Sequence, residues 1–242
     1  NGGEGSLFGS GAIGGSIHLN SLIEKDEANK LSINLSKGSY GLSSQSLQFY
    51  LKKGKLVANG GFNYLKHDNN FEYFNSTQFG NPLTLNENGK IKSNSQNLNL
   101  LYNLNKNTNF KFCSWFSDLE REVPQNMTVF NSDAKQYDAF KRLLFSLKHK
   151  RDLISIDLKQ AYLKEDFRYT EDLKNIDSYY IADSYISDAD IKLNKGSFLF
   201  SIGTGFTNNN ITNNNFSSSS KQESSLAYFS AIQYNARFFK MN

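Results

Sequence analysis

The sequence, 242 residues long, predicts an all-β fold in which antiparallel hairpins form a transmembrane β-barrel. Three observations support this prediction. The composition favours strands and turns over helices, apolar residues alternate with polar ones from Lys30 onward, and the connections between strands are alternately short and long. Together these features indicate a hairpin-built sheet with one apolar and one polar face.

The composition is that of a β protein. Aromatic residues make up 14% of the chain, with 20 Phe and 13 Tyr, and they occur together with many Asn and Ser and only 2 Pro. Aromatic side chains suit pleated, half-exposed surfaces, whereas Asn and Ser favour turns. No apolar run approaches the roughly 20 residues of a membrane helix. A barrel strand crosses a bilayer by alternation alone, so it leaves no such run.

Charge and reactive residues exclude several classes of function. The net charge of +4 comes from scattered basic residues, which does not indicate a nucleic-acid partner. The single cysteine, Cys113, excludes a disulfide framework and a zinc site built on cysteine, and the 3 histidines are far apart. No catalytic triad, paired-carboxylate site or metal-ligand spacing is found. We therefore expect a protein that is not an enzyme, with no metal site and no cofactor.

The alternation of apolar and polar residues defines about ten strands of roughly 9–14 residues, near the length that crosses a bilayer when tilted. In a barrel one face of these strands contacts lipid and the other lines the lumen. The residues expected to face lipid are Leu31, Ile33, Leu35, Leu98, Leu100, Tyr102, Ile154 and Ile156. Those expected to face the lumen are Ser32, Asn34, Asn97, Asn99, Ser155 and Asp157.

The connections between strands alternate in length. Short basic turns are predicted at 52–55, 105–108, 148–152 and 194–196, and long polar connections at 68–93, 119–138, 165–178 and 207–222. Short turns at one end and long loops at the other are typical of an outer-membrane barrel. The short turns recur about every 40 to 55 residues, as blades do in β-propellers, but each interval holds two strands where a blade needs four.

A glycine-rich motif, Leu7-Phe8-Gly9-Ser10-Gly11-Ala12-Ile13-Gly14-Gly15, precedes the strands. It is not a P-loop, because no lysine follows until Lys25, and a dinucleotide loop would be followed by a helix, whereas here a strand follows. Position by position the motif resembles the end of the plug domain of TonB-dependent outer-membrane receptors. Its glycines, Gly9, Gly11, Gly14 and Gly15, are interpreted as a structural turn, because glycine permits positive φ and close backbone approach.

The resemblance implies a domain organisation. Residues 1–23 would be the C-terminal end of a plug, residues 24–29 a linker, and residues 30–242 the N-terminal portion of the barrel. About ten strands would then represent part of an expected barrel of about 22 strands. The sequence would accordingly be an internal part of a longer protein, with most of the plug and the segment that contacts TonB outside it.

The resemblance also implies a function. The family imports scarce nutrients across the bacterial outer membrane, energised by the TonB complex of the inner membrane, and the stretch Tyr64–Asn75 resembles a loop region of its siderophore- and cobalamin-type receptors. Loop aromatics are the candidate contacts for such a ligand: Phe71, Tyr73, Phe74, Phe167 and Tyr169. Two alternatives stay open, namely a passive porin or adhesin barrel and a soluble β-repeat binding module.

Overall fold

The protein is almost entirely antiparallel β-sheet, which confirms the predicted fold class. A computed structural model describes residues 28–124, 126–128, 132–214, 220–236 and 239–241. Among these residues, no helix is long and apolar enough to cross a membrane. The strands are β1 Lys30–Lys37, β2 Ser43–Lys53, β3 Leu56–His67, β4 Glu72–Phe74, β5 Leu83–Leu85, β6 Ile91–Asn103, β7 Thr108–Glu122, β8 Lys135–Arg151, β9 Ile154–Glu171, β10 Ile176–Lys195, β11 Phe198–Asn213, β12 Ser220–Ala236 and β13 Phe239–Met241.

Eleven of these strands form one sheet whose spatial order follows the chain. The order is β1-β2-β3-β6-β7-β8-β9-β10-β11-β12-β13, and each neighbouring pair is antiparallel. The remaining two strands, β4 and β5, pair as a small hairpin in the connection between β3 and β6. The first strand of the sheet begins at Lys30, where the alternating pattern of the sequence begins.

The strand register places the alternating apolar residues on a single face of the whole sheet. Residues that pair directly across antiparallel strands share a face, and successive residues of one strand lie on opposite faces. Following the pairs from Leu31 across the sheet leads to Leu98 in β6, Tyr162 in β9 and Ser224 in β12. Ile156 lies on the same face as Tyr162, and Leu226 on the same face as Ser224, because an even number of positions separates the residues of each pair. All eight residues expected to face lipid lie on this apolar face, and all six expected to face the lumen lie on the opposite, polar face.

A band of the apolar face carries no Lys, Arg, Asp or Glu in strands β1 to β12. The charged residues on that face that lie nearest the band are, above it, Lys37, Lys66, Lys92, Asp118, Lys141, Lys164 and Asp183, and, below it, Lys53, Arg151 and Lys195. In β9 the band extends from Ile154 to Tyr162, about 26 Å along the strand at 3.3 Å per residue. Nine residues are enough to cross the hydrocarbon core when the strand is tilted.

The strands are staggered along the sheet. The row of paired residues that starts at Leu56, the first residue of β3, passes through Leu158 in β9 and Thr204 in β11. Since β9 begins at Ile154 and β11 at Phe198, the row moves on average one residue further from the short turns per strand. A shift of about 3.3 Å per 4.8 Å strand spacing corresponds to a tilt of about 35°, which is the tilt of barrel strands.

The sheet has almost no hydrophobic core of its own. Among the described residues only five apolar ones are buried, namely Tyr50, Val57, Ala58, Ala134 and Ala139. Large apolar side chains on the apolar face are instead open, with Leu35 74% exposed and Ile232 63% exposed. A soluble domain of this length would cover such a face with a second layer. The apolar face of this sheet therefore requires an apolar environment outside the described chain.

The connections lie in two groups. The turn end of the sheet has the short connections 54–55, 104–107, 152–153 and 196–197, and the loop end has 38–42, 68–90, 123–134, 172–175 and 214–219. The long connections expected at 165–178 and 207–222 are wrong, because β9, β10, β11 and β12 continue through most of those residues. Between β9 and β10 only a short 3-10 turn at Asp172–Lys174 remains, closed by Asn175 in the left-handed conformation.

Charge differs between the two ends. Within two residues of a short turn, or at the start of β1, the described chain has eight cations against one carboxylate, Asp152. We call these eight the basic collar: Lys30, Lys52, Lys53, Lys55, Lys106, Lys150, Arg151 and Lys195. Within two residues of the connections of the loop end, the described chain has eight cations and eight carboxylates. The charges of the loop end are therefore balanced.

Candidate functional site

The first three aromatic candidates lie at the loop end, in the connection between β3 and β6. Phe71 precedes β4, and Tyr73 and Phe74 belong to it. Phe71 contacts Tyr40 edge-on at 6.1 Å and Tyr73 at 6.3 Å, measured between ring centroids. Phe74 is 70% exposed. Phe71 and Tyr73 thus help to hold the connection together, whereas Phe74 is open to solvent or to a ligand.

Phe167 and Tyr169 are not loop residues, which corrects their expected location. Both lie in β9, on its polar face, because the strand continues to Glu171. Phe167 stacks on Tyr180 of β10, with 5.2 Å between ring centroids and 15° between planes. The hydroxyl of Tyr169 donates a hydrogen bond to Glu171. In the described part of the chain, neither Phe167 nor Tyr169 makes a ring contact with the aromatics of the β3–β6 connection.

Phe167 belongs to a group that we call the aromatic patch, which lies on the polar face near the loop end. Its residues, from β7, β8, β9 and β10, are Trp115, Phe140, Arg142, Glu165, Phe167 and Tyr180. The register brings them together, because Trp115 pairs with Arg142 and Phe140 pairs with Glu165. Trp115 is 43% exposed, so the patch is accessible.

Arg142 is the centre of the aromatic patch. Its guanidinium lies over the ring of Phe140 at 4.4 Å and over that of Trp115 at 5.2 Å, and the two rings contact each other edge-on. Nη2 of Arg142 also donates to Oε1 of Glu165 at 3.0 Å. Cation–π contacts and the ion pair fix the guanidinium plane while leaving other N–H groups of Arg142 open. Flat π faces beside a fixed donor can stack on a conjugated ligand and hydrogen-bond to its oxygen atoms.

The sequence interpretation did not identify the aromatic patch, although a signal for it was present. Trp115 and Phe140 are large aromatics on the polar face, out of phase with the apolar alternation of β7 and β8. An aromatic residue at a lumen-facing position is unusual for a strand whose other lumen-facing neighbours are polar. Such out-of-phase aromatics are the sequence signal from which the patch could have been predicted.

Closer to the turn end, the polar face carries an ionic network. Oδ2 of Asp157 in β9 lies 3.4 Å from Nζ of Lys148 in β8 and 3.9 Å from Nζ of Lys159. Asp188 and Asp190 of β10 lie beside it on the same face. They occupy space left by Gly203 and Gly205 of β11. A Cβ on Gly203 would overlap Asp190 and Phe229, and one on Gly205 would lie 3.0 Å from Asp188.

The connections of the loop end are joined by side-chain amides. Asn75, only 3% exposed, donates from Nδ2 to the carbonyl of Met127 and accepts at Oδ1 from the amide and the hydroxyl of Thr77. Asn88 donates to the carbonyls of Val123 and of Ala134. The connection from 68 to 90 and the one from 123 to 134 are therefore tied to each other, above the aromatic patch.

Ion pairs also stabilise the loop ends of β9 and β10, which we call the rim. Arg168 and Asp177 form a two-point ion pair, with N···O distances of 3.0 and 2.8 Å. The hydrogen bond from Arg168 lowers the pKa of Asp177, and the same bond raises the pKa of Arg168. At the adjoining turn, Lys174 contacts buried Glu171 at 2.6 Å, a hydrogen bond that raises the pKa of Lys174. These pairs hold the short turn between the two longest strands.

Some sequence predictions lie outside the described residues. The motif with Gly9, Gly11, Gly14 and Gly15, and the proposed plug segment 1–23, are among them, so their roles stay predictions. Of the expected linker, Asn29 is described, and its side-chain oxygen accepts a hydrogen bond from the amide of Lys52 at 2.7 Å. Within the described residues, no group of three or more His, Cys, Asp and Glu side chains is placed to hold a metal ion.

Comparison with known proteins gives structural similarities only. No family model matches the chain, and no curated protein matches it. Among solved structures, it is similar to the copper transporter OprC at 8% identity and a TM-score of 0.40, over 87% of this chain and 42% of that one. It is also similar to the ferric yersiniabactin uptake receptor FyuA from Yersinia pestis, at 10% identity and a TM-score of 0.44, over 85% of this chain and 37% of that one. The chain thus spans less than half the length of either structure, and its function has to be argued from its own residues.

Proposed function

We propose that this chain forms part of the wall of an outer-membrane β-barrel receptor that imports a scarce nutrient. The nutrient would be of the iron-siderophore or cobalamin kind, and the energy would come from the TonB complex of the inner membrane. The proposal places the chain in the same general class as the transporter and the uptake receptor named above. Its support comes from the sheet and from the sequence motif.

The observation that carries the membrane part of the proposal is the band on the apolar face. From Ile154 to Tyr162 of β9, the residues on the apolar face carry no charge, and the strands are staggered as in a tilted barrel wall. The scarcity of buried apolar side chains among the described residues argues against a soluble β-repeat module, which would bury this face. In lipid the same face needs no second layer.

The import part of the proposal has a different basis. The motif from Leu7 to Gly15 resembles the end of a plug, and a passive porin or adhesin has no plug to energise. The polar face also offers a binding surface in the aromatic patch, located between the tied connections of the loop end and the ionic network. In the proposed orientation the loop end is extracellular, so the patch would meet a ligand that enters from outside.

Uptake measurements test the proposal. Deleting the gene should abolish energy-dependent uptake of a radiolabelled ferric chelate or of labelled cobalamin by starved cells. In a strain without the TonB complex, the complete gene product should give no uptake. Uptake that continues at the same rate in that strain would contradict the proposal and favour the passive porin.

A paired substitution tests the aromatic patch. Arg142→Gln in the complete gene product should weaken ligand binding about 10-fold to 150-fold, because one charge-assisted hydrogen bond contributes about 1.5–3 kcal/mol. Lys135→Gln is the matched control, since Lys135 is an exposed cation of the same strand on the opposite face. Titration of the change in fluorescence of Trp115, the sole tryptophan of this chain, measures both affinities if other tryptophans of the gene product are replaced by Phe. Equal affinities of the two variants for the ligand would show that Arg142 does not contribute to the binding site.

A further inference from the structure

We infer that four cations of the basic collar bind the headgroups of anionic phospholipids in the leaflet next to the turn end. They are Lys53, Arg151 and Lys195, which lie on the apolar face, and Lys106 of a short turn. The inference rests on the proposed function, because it needs the band to lie in a bilayer. It adds a lipid class and a binding site to that function.

The collar lies at the depth where lipid phosphates are expected. On the apolar face, Lys53 follows Leu51 by one alternating position, Arg151 pairs with Ile154, and Lys195 pairs with Phe198. Lys53 is thus the next residue on the apolar face after the last apolar residue of the band in β2. Arg151 and Lys195 are the cross-strand neighbours of the last apolar residues of the band in β9 and β11. Long basic side chains at such positions extend their charged ends to the headgroups while their stems stay on apolar surface.

Few carboxylates lie close enough to neutralise the cations of the basic collar. In the described part of the chain, no carboxylate pairs with Lys53, Lys106 or Lys195, and all three are exposed. Arg151 contacts Asp152 at 3.5 Å, but its side chain stays 72% exposed. Lys55 is fixed at the turn, because its Nζ donates to the carbonyl of Leu104 at 2.6 Å. The charged groups of Lys53, Lys106, Lys195 and the exposed Arg151 are thus accessible to counter-charges from outside the described chain.

The charge of the other end makes the inference specific to one leaflet. At the loop end, cations and carboxylates are equal in number within the same window, and several are paired, as Lys174 is with Glu171. Clusters of four to eight basic residues next to a membrane-spanning segment attract anionic lipids, by about 1 kcal/mol for each cation near the surface. That energy corresponds to about a fivefold preference for each cation.

The test uses the complete gene product and two matched variants with three substitutions each. The collar variant is Lys53→Gln, Lys106→Gln and Lys195→Gln, and the control is Lys66→Gln, Lys92→Gln and Lys135→Gln, which removes three cations from the apolar face at the loop end. The proteins are folded into vesicles of phosphatidylglycerol and phosphatidylcholine in equal amounts. They are then extracted in mild detergent, and the retained lipids are quantified.

In low salt, the unchanged protein and the control should retain phosphatidylglycerol over phosphatidylcholine at least fivefold, and 1 M NaCl should remove the preference. The collar variant should show a ratio near one. Equal retention of the two lipids by the unchanged protein, or equal loss in both variants, would overturn the inference. So would complete displacement of the lipid by soluble polyglutamate, which would indicate an acidic protein as the partner.

Folding into vesicles of phosphatidylcholine alone separates this inference from the proposed function. If the protein folds there, with heat-modifiable gel mobility, but shows no lipid preference in the mixture, the collar inference fails and the membrane assignment stands. If it folds into neither kind of vesicle, the proposed function fails, and the inference fails with it.

Discussion

Leu98→Arg should strongly impair folding into a membrane, whereas Asn97→Arg, one residue earlier on the opposite face, should not. Leu98 lies in the middle of the band in β6, and its cross-strand neighbours on the apolar face are Gly60 and Ser114. Neither neighbour offers a carboxylate. The nearest one on that face of β7 is Asp118, about 13 Å from Ser114 along the strand at 3.3 Å per residue. The guanidinium would therefore have no counter-ion at its depth.

The size of the effect follows from the depth. An arginine on the lipid face of a barrel costs about 2–4 kcal/mol at mid-depth and about 0–1 kcal/mol near the interface. Because 1.4 kcal/mol is a factor of ten, Leu98→Arg should lower the folding equilibrium constant about 30-fold to 700-fold. Asn97 is exposed on the polar face, opposite Gly61 and Trp115, where an arginine stays in contact with water. For that variant the change should stay below fivefold.

The assay is the refolding of the complete gene product from urea into phospholipid vesicles. The folded fraction is measured by heat-modifiable gel mobility at increasing urea concentration, which gives the equilibrium constant for each variant. Equal equilibrium constants for Leu98→Arg and Asn97→Arg would refute the assignment of the apolar face to lipid. A larger loss for Asn97→Arg would reverse it.

Three further predictions concern the loop end and the polar face. Asn75→Ala should leave buried polar groups unpaired at a cost of about 1–3 kcal/mol. Limited proteolysis of the connection 123–134 should therefore become faster. An unchanged rate would contradict the role of Asn75 in joining the two connections. The pKa of Asp177 should lie below the ordinary 3.8. Its ion pair with Arg168 therefore stabilises the rim fully at pH values above 3.8, and this stabilisation is lost as the pH falls through the lowered pKa. Carboxyl NMR should show the titration midpoint of Asp177 return towards 3.8 in Arg168→Gln. Gly203→Ala should lower the thermal unfolding midpoint more than Gly205→Ala, since the added Cβ would overlap two side chains rather than touch one.

The sequence predicted the strands well where they carry the band and poorly beyond it. From Ile154 to Leu158 every second residue is apolar, which defines a face directly. Beyond Leu163 the apolar face of β9 carries Lys164, Asp166 and Arg168, so the alternation that defines the band ends although the backbone pairing with β10 continues. Backbone hydrogen bonds and the turn closed by Asn175 extend these strands, and neither has a hydrophobic signature.

The candidate site was less predictable than the fold. Phe167 was selected as a loop aromatic, and its stacking on Tyr180 depends on the register of β9 and β10. Trp115 and Arg142 are 27 positions apart in sequence, and they meet because the connection between β7 and β8 sets the pairing of those strands. A register that is set by a long connection cannot be derived from local alternation alone.

Site-directed spin labelling along β9 tests the central claim, that the apolar face lies in lipid, most directly. Single cysteines would replace each residue from Ile154 to Tyr162 in a Cys113→Ala background of the vesicle-inserted protein. Collision rates of the attached spin labels would be measured with oxygen and with a water-soluble nickel chelate. We predict a period of two, with oxygen maxima at Ile154, Ile156, Leu158, Gln160 and Tyr162 and nickel maxima between them. High nickel accessibility at all nine positions would contradict the account.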